Sequence, residues 1–127
     1  MKLAAARRPA ILGGEREYRE ALAVAAGQPI AEALDGRHDW IQLFAQDRAG
    51  LEATLPAAAT ALDDPGTLWI SYPKGSSKLQ TDLTRDQGWD AVKAQDLMWL
   101  GLISIDETWS AFSLRKYREG EERQTFR

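Results

Sequence analysis

Residues 68–115 read LWISYPKGSSKLQTDLTRDQGWDAVKAQDLMWLGLISIDETWSAFSLR, and the order of apolar runs and breaks in this stretch decides the fold class. Residues 68–73 (LWISYP) have the continuous apolar, aromatic-rich character of a buried strand. Lys74-Gly75-Ser76-Ser77-Lys78 has the composition of a loop. Thr84-Arg85-Asp86-Gln87 fits a capping box, with Thr84 as N-cap and Gln87 reaching back, so a helix is expected from near Arg85. Trp89, Val92, Lys93, Asp96 and Leu97 follow at helical spacing, with the Lys93 stem laid over the apolar face. Residues 100–105 and 109–114 are two further strands. Only Asp106-Glu107-Thr108 separates them, which leaves no room for a crossover helix, so this pair is antiparallel.

Upstream, the same alternation repeats. Residues 9–12 (PAIL) are a short apolar run stopped by Gly13-Gly14, a strand followed by a tight strand-to-helix turn. Tyr18, Leu22 and Ala25 or Ala26 recur at helical spacing after Glu15, and Gly27 with Pro29 ends that helix. Residues 28–34 are expected to form a short second strand, closed by an Asp35-Gly36 turn. Residues 39–45 (DWIQLFA) read as a strand covered on both faces, which suits a parallel sheet under helices. Leu51, Leu55, Ala58 or Ala59 and Leu62 make the stripe of a second helix, in which Pro56 must lie in the first turn or cause a kink. Asp63-Asp64-Pro65-Gly66 is a turn before a strand at 67–72. The order β-α-β-β-α-β-α-β-β describes a single α/β domain over residues 1–127. Its expected architecture is three-layered and Rossmann-like, a mostly parallel sheet with an antiparallel C-terminal edge pair, followed by a basic tail at 115–127.

Composition agrees with one soluble core. A chain of 127 residues is the usual size of a single domain, and 44% hydrophobic with 28% charged residues is too apolar for a disordered chain and too charged for a membrane one. A net charge of −3 gives no general reason to expect nucleic acid, whose phosphates call for a concentrated surplus of Lys and Arg. The absence of cysteine removes disulfides, thiolate metal sites and cysteine nucleophiles together. Arg7-Arg8-Pro9 interrupts any apolar signal segment, and no run is long enough to cross a membrane as a helix, so a cytoplasmic protein is expected.

Candidate chemistry concentrates after the strand at 68–73. Lys74, Gly75, Ser76, Ser77 and Lys78 combine two cations, two hydroxyls and a permissive glycine at what should be the carboxyl edge of the sheet, where open α/β sheets bind ligands. Backbone N–H groups and Lys74 as a point charge suit a phosphate, although the spacing is not that of a Walker loop. Gly13 and Gly14, in the first turn, belong to the same candidate site. Thr84 and Asp86 are accounted for by capping, whereas Asp82 is not, and is expected to pair with Lys74 or Lys78 or to face the cleft. Asp106-Glu107 is better read as turn chemistry than as paired catalytic carboxylates. No histidine is placed to activate Ser110, since the only one, His38, falls in a turn between Arg37 and Asp39 ahead of a strand; a Ser-His-Asp triad is not expected, and a multi-histidine metal site is excluded. Of the five tryptophans, Trp40, Trp69, Trp89 and Trp109 read as core, and Trp99 as a surface anchor for a partner.

Two resemblances follow from these residues. From Asp39 onward the order strand, helix, Pro-Gly turn, strand, helix, antiparallel pair resembles the C-terminal half of class I methyltransferases that use S-adenosylmethionine. LWISYPKGSS, TDLTRDQGW and IDETWSAFSLR, spanning roughly residues 39–115, more closely resemble a family of small bacterial proteins described only as a domain of unknown function. The methyltransferase resemblance implies a backbone turn that approaches the cofactor. In Ile11-Leu12-Gly13-Gly14-Glu15-Arg16-Glu17 two glycines are present, while the preceding acidic residue and a third glycine are not. It also implies a ribose-binding carboxylate, for which Glu32 or Asp35 would stand. No reaction or cofactor is named by these residues. The leading expectation is a non-catalytic domain that binds a phosphate-bearing ligand such as a nucleotide. The others are an interaction module using the sheet edge or Trp99 to join a second copy or another protein, and an enzyme, either a degenerate methyltransferase-like one or one using Asp82 with Lys74.

Overall fold

A computed structural model describes residues 6–74, 82–84 and 88–122. The elements are β1 (Pro9–Leu12), α1 (Arg16–Ala26), β2 (His38–Phe44), α2 (Arg48–Ala61), β3 (Leu62–Pro73), α3 (Asp90–Ala94), β4 (Leu97–Ser104) and β5 (Trp109–Lys116). The five strands form one sheet in the order β1-β2-β3-β5-β4. β1, β2 and β3 pair in parallel, and β5 is antiparallel to both β3 and β4, so only β5 runs against the rest. The result is the expected α/β sheet, mostly parallel with an antiparallel pair at one side.

Alternate residues of the central strands serve two cores. Ile41, Leu43, Leu68, Ile70 and Leu114 face α2, α3 and the buried Leu51, Leu55 and Val92. Ile11, Trp40, Trp69 and Ala111 face the other way and pack with Leu22 of α1. That strict alternation of period two across β2 and β3, with helices on both faces, makes the three layers.

Several boundaries differ from the expectation for identifiable reasons. Residues 28–34 do not make a strand; Ala31 alone bridges Ala10, through Ile11 N–H to Ala31 O (2.7 Å) and Ala31 N–H to Pro9 O (3.1 Å). β3 begins at Leu62 rather than 67, because Leu62 pairs with His38 before Thr67 resumes opposite Trp40, and Asp63 to Gly66 bulge out between them. Pro56 lies neither at the start of α2 nor near it but inside the helix. The third helix starts at Asp90, not near Arg85: Gly88 has φ +97°, outside the helical region, and Trp89 takes the N-cap position. Residues 85–87 of the expected capping box lie outside the described residues. The following strand starts at Leu97, earlier than 100.

Trp99 is half-buried, not the surface anchor expected. Its ring meets Phe112 edge-on at 4.6 Å and Trp89 at 5.4 Å, within a cluster that also holds Tyr72. His38 is 2% exposed; one ring nitrogen accepts from Asp35 N–H (3.0 Å) and the other donates to Arg8 O (2.9 Å), so it closes the amino edge of the sheet. No helix among the described residues is long and apolar enough to cross a membrane.

Arg115 and Lys116, the start of the expected tail, complete β5. Arg115 forks onto Glu121 with bonds of 2.8 and 2.6 Å, and Arg118 N–H donates to the same carboxylate at 2.5 Å. The Arg115 hydrogen bond first, and the Arg118 amide second, lower the Glu121 carboxyl to about 2. A depressed carboxyl contributes stability that is present above the ordinary glutamate value and lost as pH falls from there through about 2. The Glu121 carboxyl resonance should therefore titrate near pH 2 in the folded protein. Glu121→Gln should remove that share of the acid dependence, and a midpoint in the ordinary glutamate range would show that the turn is open in solution.

Candidate functional site

Because β1, β2, β3 and β4 run the same way, their ends converge on one edge of the sheet, where β5 begins. Gly13 and Gly14, Phe44, Asp47, Lys74 and the 105–109 connection all lie along it. This is the carboxyl edge at which the sequence placed its site.

Lys74 is fixed to that edge by both ends. Its N–H donates to Thr108 O (2.7 Å), extending the pairing of β3 with the 105–109 turn, and its ammonium donates to Ser104 Oγ (2.5 Å). Gly75, Ser76, Ser77 and Lys78, the rest of the expected anion loop, lie outside the described residues. Asp82 accepts from Arg48 N–H at 2.8 Å, and its expected partner Lys78 lies outside the described residues. Asp47, the N-cap of α2, accepts from Gly50 N–H at 2.7 Å. The Arg48 side chain joins the same cluster through Asp90 (2.9 Å) and Glu52 (3.0 Å). Two orphan amides of the first turn of α2 are thus satisfied by the protein's own carboxylates.

Asp106 plays the turn role expected of it, accepting from both Thr108 N–H and Trp109 N–H at 2.8 Å. Trp109 is thereby presented to Phe44, edge-on at 5.0 Å, and Phe44 in turn meets Tyr18 of α1 at 5.2 Å. This aromatic row crosses the edge from α1 to β5. Beneath it a polar line enters the core: Tyr18 O–H donates to Gln42 Oε1 (2.9 Å), and Gln42 Nε2 donates to Ser71 Oγ (3.0 Å), with Gln42 and Ser71 both 0% exposed. Burial pushes the Tyr18 phenol up from its ordinary value, the Gln42 hydrogen bond pulls it back in part, and the negative field of Asp106 adds to the rise. Tyr18 is thus kept as a neutral donor.

Gly13 and Gly14 both have positive φ, +86° and +81°, and both close on Phe44. A Cβ on Gly14 would lie 2.9 Å from Phe44 Cε1, and one on Gly13 3.1 Å from Phe44 Cβ. The Arg19 guanidinium donates to Gly14 O and pairs with Glu32 at 2.5 Å. Of the two residues that would stand for a ribose carboxylate, Glu32 is therefore engaged by Arg19. Asp35 is held at the opposite edge, where its carbonyl accepts from Arg8 (2.6 Å). Among the described residues no group of three or more His, Asp or Glu side chains is placed to hold a metal ion.

Of the residues at this edge, Gly13, Gly14 and Lys74 were expected from the sequence, Asp106 was expected as a turn residue, and Tyr18, Gln42 and Phe44 were not singled out. Gln42 carried a signal, a polar side chain in the middle of an apolar strand run, which a buried position makes costly unless it is paired.

No family model matches this chain, and no curated protein matches it. Solved structures do. Mitomycin 7-O-methyltransferase is similar over 92% of this chain and 51% of its own, with a TM-score of 0.64 at 10% identity. An O-methyltransferase family 2 protein from Planctomyces limnophilus is similar over 87% and 43%, with a TM-score of 0.59 at 15% identity. Magnesium protoporphyrin IX methyltransferase from Synechocystis, solved with S-adenosylhomocysteine, is similar over 85% and 63%, with a TM-score of 0.57 at 9% identity. The chain spans 43% to 63% of the length of these structures. At such identities the likeness is one of fold: this chain has the Rossmann-like sheet of the methyltransferases.

Proposed function

We propose that this chain is a degenerate methyltransferase-like protein, one that keeps the scaffold and its carboxyl-edge face without a preformed cradle for S-adenosylmethionine. The observation that carries this reading is the packing of Phe44 on Gly14. In a cofactor turn, glycines let the backbone come close to the ligand; here the side that a Cβ would fill is taken by the protein's own ring. The donor set points the same way. Arg19 engages both the Gly14 carbonyl and Glu32, and no acidic residue precedes the glycines. The residues present do not fit the cofactor, and no methyl-transfer step is derived from them.

Calorimetric titration with S-adenosylmethionine and S-adenosylhomocysteine at millimolar concentration tests the proposal directly. No saturable heat is expected. A one-to-one isotherm would mean that Phe44 moves aside, and would restore an ordinary methyltransferase.

The anion-binding reading of the Lys74 loop has one described element in its favour, the placement of Lys74 at the carboxyl edge. Against it, Asp47 and Asp82 occupy amides of the first turn of α2 and add negative charge there. Inorganic phosphate and ATP in the same titration distinguish the two: a response that disappears in Lys74→Ala would return the site to the loop.

A further inference from the structure

We propose that the free edge of the sheet is a self-association surface, with β4 of one molecule pairing antiparallel with β4 of a second copy about a two-fold axis. Among the described residues β4 is the terminal strand of the sheet and pairs with β5 alone. Its outer side therefore presents backbone N–H and C=O groups that no other described strand pairs with. Three of the four large hydrophobic side chains most exposed in the described structure belong to it: Leu100 at 50%, Leu102 at 45% and Ile103 at 37%. Leu102 stands across from Phe112 and Ile103 across from Ala111, so both faces of the strand carry uncovered apolar surface.

The usual protections of an edge are nearly absent here. From Leu97 to Ile105 there is no charged residue and no proline. A bulge at Leu100 is the one protective feature, and beyond it residues 101–104 pair regularly with 110–113.

The sequence of this strand selects its own copy as the occupant. Closed two-fold pairing is isologous, so every residue must tolerate the partner that symmetry assigns to it. With Leu102 on the axis, Leu102 meets Leu102, Ile103 meets Gly101, and Leu100 meets Ser104. Each exposed aliphatic group then lies beside an apolar or small residue. Asp96 and Asp106, which bracket the run, fall opposite positions 108 and 98, so no like charges face each other. Moving the axis by one residue to Gly101 would set Asp96 against Asp106, and a repulsive cross-strand pair would oppose that register. A charged peptide would find no complementary charge on this strand, whereas a second copy offers apolar surface in the same pattern. The net charge of −3 is low enough that two copies repel weakly.

Sedimentation velocity up to several hundred micromolar tests this. The wild type is expected to show a concentration-dependent monomer–dimer equilibrium. Leu102→Lys places two like charges on the axis and should raise the dissociation constant at least about tenfold, while leaving circular dichroism and the thermal midpoint unchanged, since the side chain is exposed in the monomer. A second variant fixes the geometry. In a chain without cysteine, Leu102→Cys puts the two sulfurs on the axis, where cross-strand Cα separations of about 4.5–5.5 Å fall within disulfide range. Mild oxidation should yield a covalent dimer, and Val24→Cys, 81% exposed on α1, should not. A wild type that stays monomeric throughout, a dimer indifferent to Leu102→Lys, or equal crosslinking of both cysteine variants would each overturn the proposal. So would a monomer whose β4 edge takes up an unrelated extended peptide instead of its own copy.

Discussion

Gly66→Ala will destabilise the protein by about 3 kcal/mol and lower its thermal midpoint by roughly 10 °C. Gly66 closes the excursion Asp63-Asp64-Pro65-Gly66, which bulges from β3 between the pairs His38–Leu62 and Trp40–Thr67. A Cβ there would stand 2.5 Å from Asp63 O, 3.1 Å from Leu62 Cδ1 and 3.2 Å from Asp39 O. The first of these is far inside van der Waals contact and is a backbone atom, so relief requires the chain itself to move. Leu62 is fully buried and Asp39 holds the N-terminal segment through Arg7 and Arg8 N–H (2.7 and 2.8 Å), so movement on either side disturbs packing or hydrogen bonds. Gly27→Ala is the matched control. Its Cβ would meet nothing within 4 Å, and its cost is confined to the left-handed backbone at φ +68°, about 1 kcal/mol. Paired denaturant melts separate the two causes. Equal losses for both variants would mean that the bulge yields and that close approach is not what Gly66 serves.

That bulge also marks where local sequence stopped being informative. Asp-Asp-Pro-Gly has turn chemistry, and the excursion is indeed a turn; what no local pattern contains is that Leu62, ahead of it, is already paired to His38. The strands at 9–12, 39–45, 68–72 and 109–114 were legible because each is an apolar run bounded by Gly, Pro or Asp, and because continuous rather than alternating hydrophobicity implies helices on both faces. The insertion of β5 between β3 and β4 was not legible, since strand order depends on pairings distant in sequence. The third helix starts later than the Thr84–Gln87 capping pattern implies because Gly88 takes φ +97°, and a Cβ there would meet Asp82 O at 2.8 Å. At the site, Gly13 and Gly14 were legible as turn glycines, whereas the cap that forms is Asp47 of α2, not Thr84. The Arg48 N–H partner of Asp82 was not legible, because it stands 34 residues earlier in the chain.

The same gap between residue and partner decides what Gly13-Gly14 is for, and a double-mutant cycle measures it. Gly14→Ala should cost about 2–3 kcal/mol in the wild type, a sum of left-handed backbone strain at φ +81° and collision with the Phe44 ring 2.9 Å from the new Cβ. Phe44→Ala alone should cost about 2–4 kcal/mol, since it removes a half-buried ring and its edge contacts with Tyr18 and Trp109 at 5.2 and 5.0 Å. In the Phe44→Ala background the collision is gone, so Gly14→Ala should fall to the backbone term, about 1 kcal/mol. The coupling between the two positions should then be about 1–2 kcal/mol, with the double variant more stable than the sum of the singles. If the glycines were kept for a ligand, Gly14→Ala would cost the same in both backgrounds and the coupling would vanish. A coupling of the expected sign ties the glycine to Phe44: the turn after β1 is closed by the protein's own side chain.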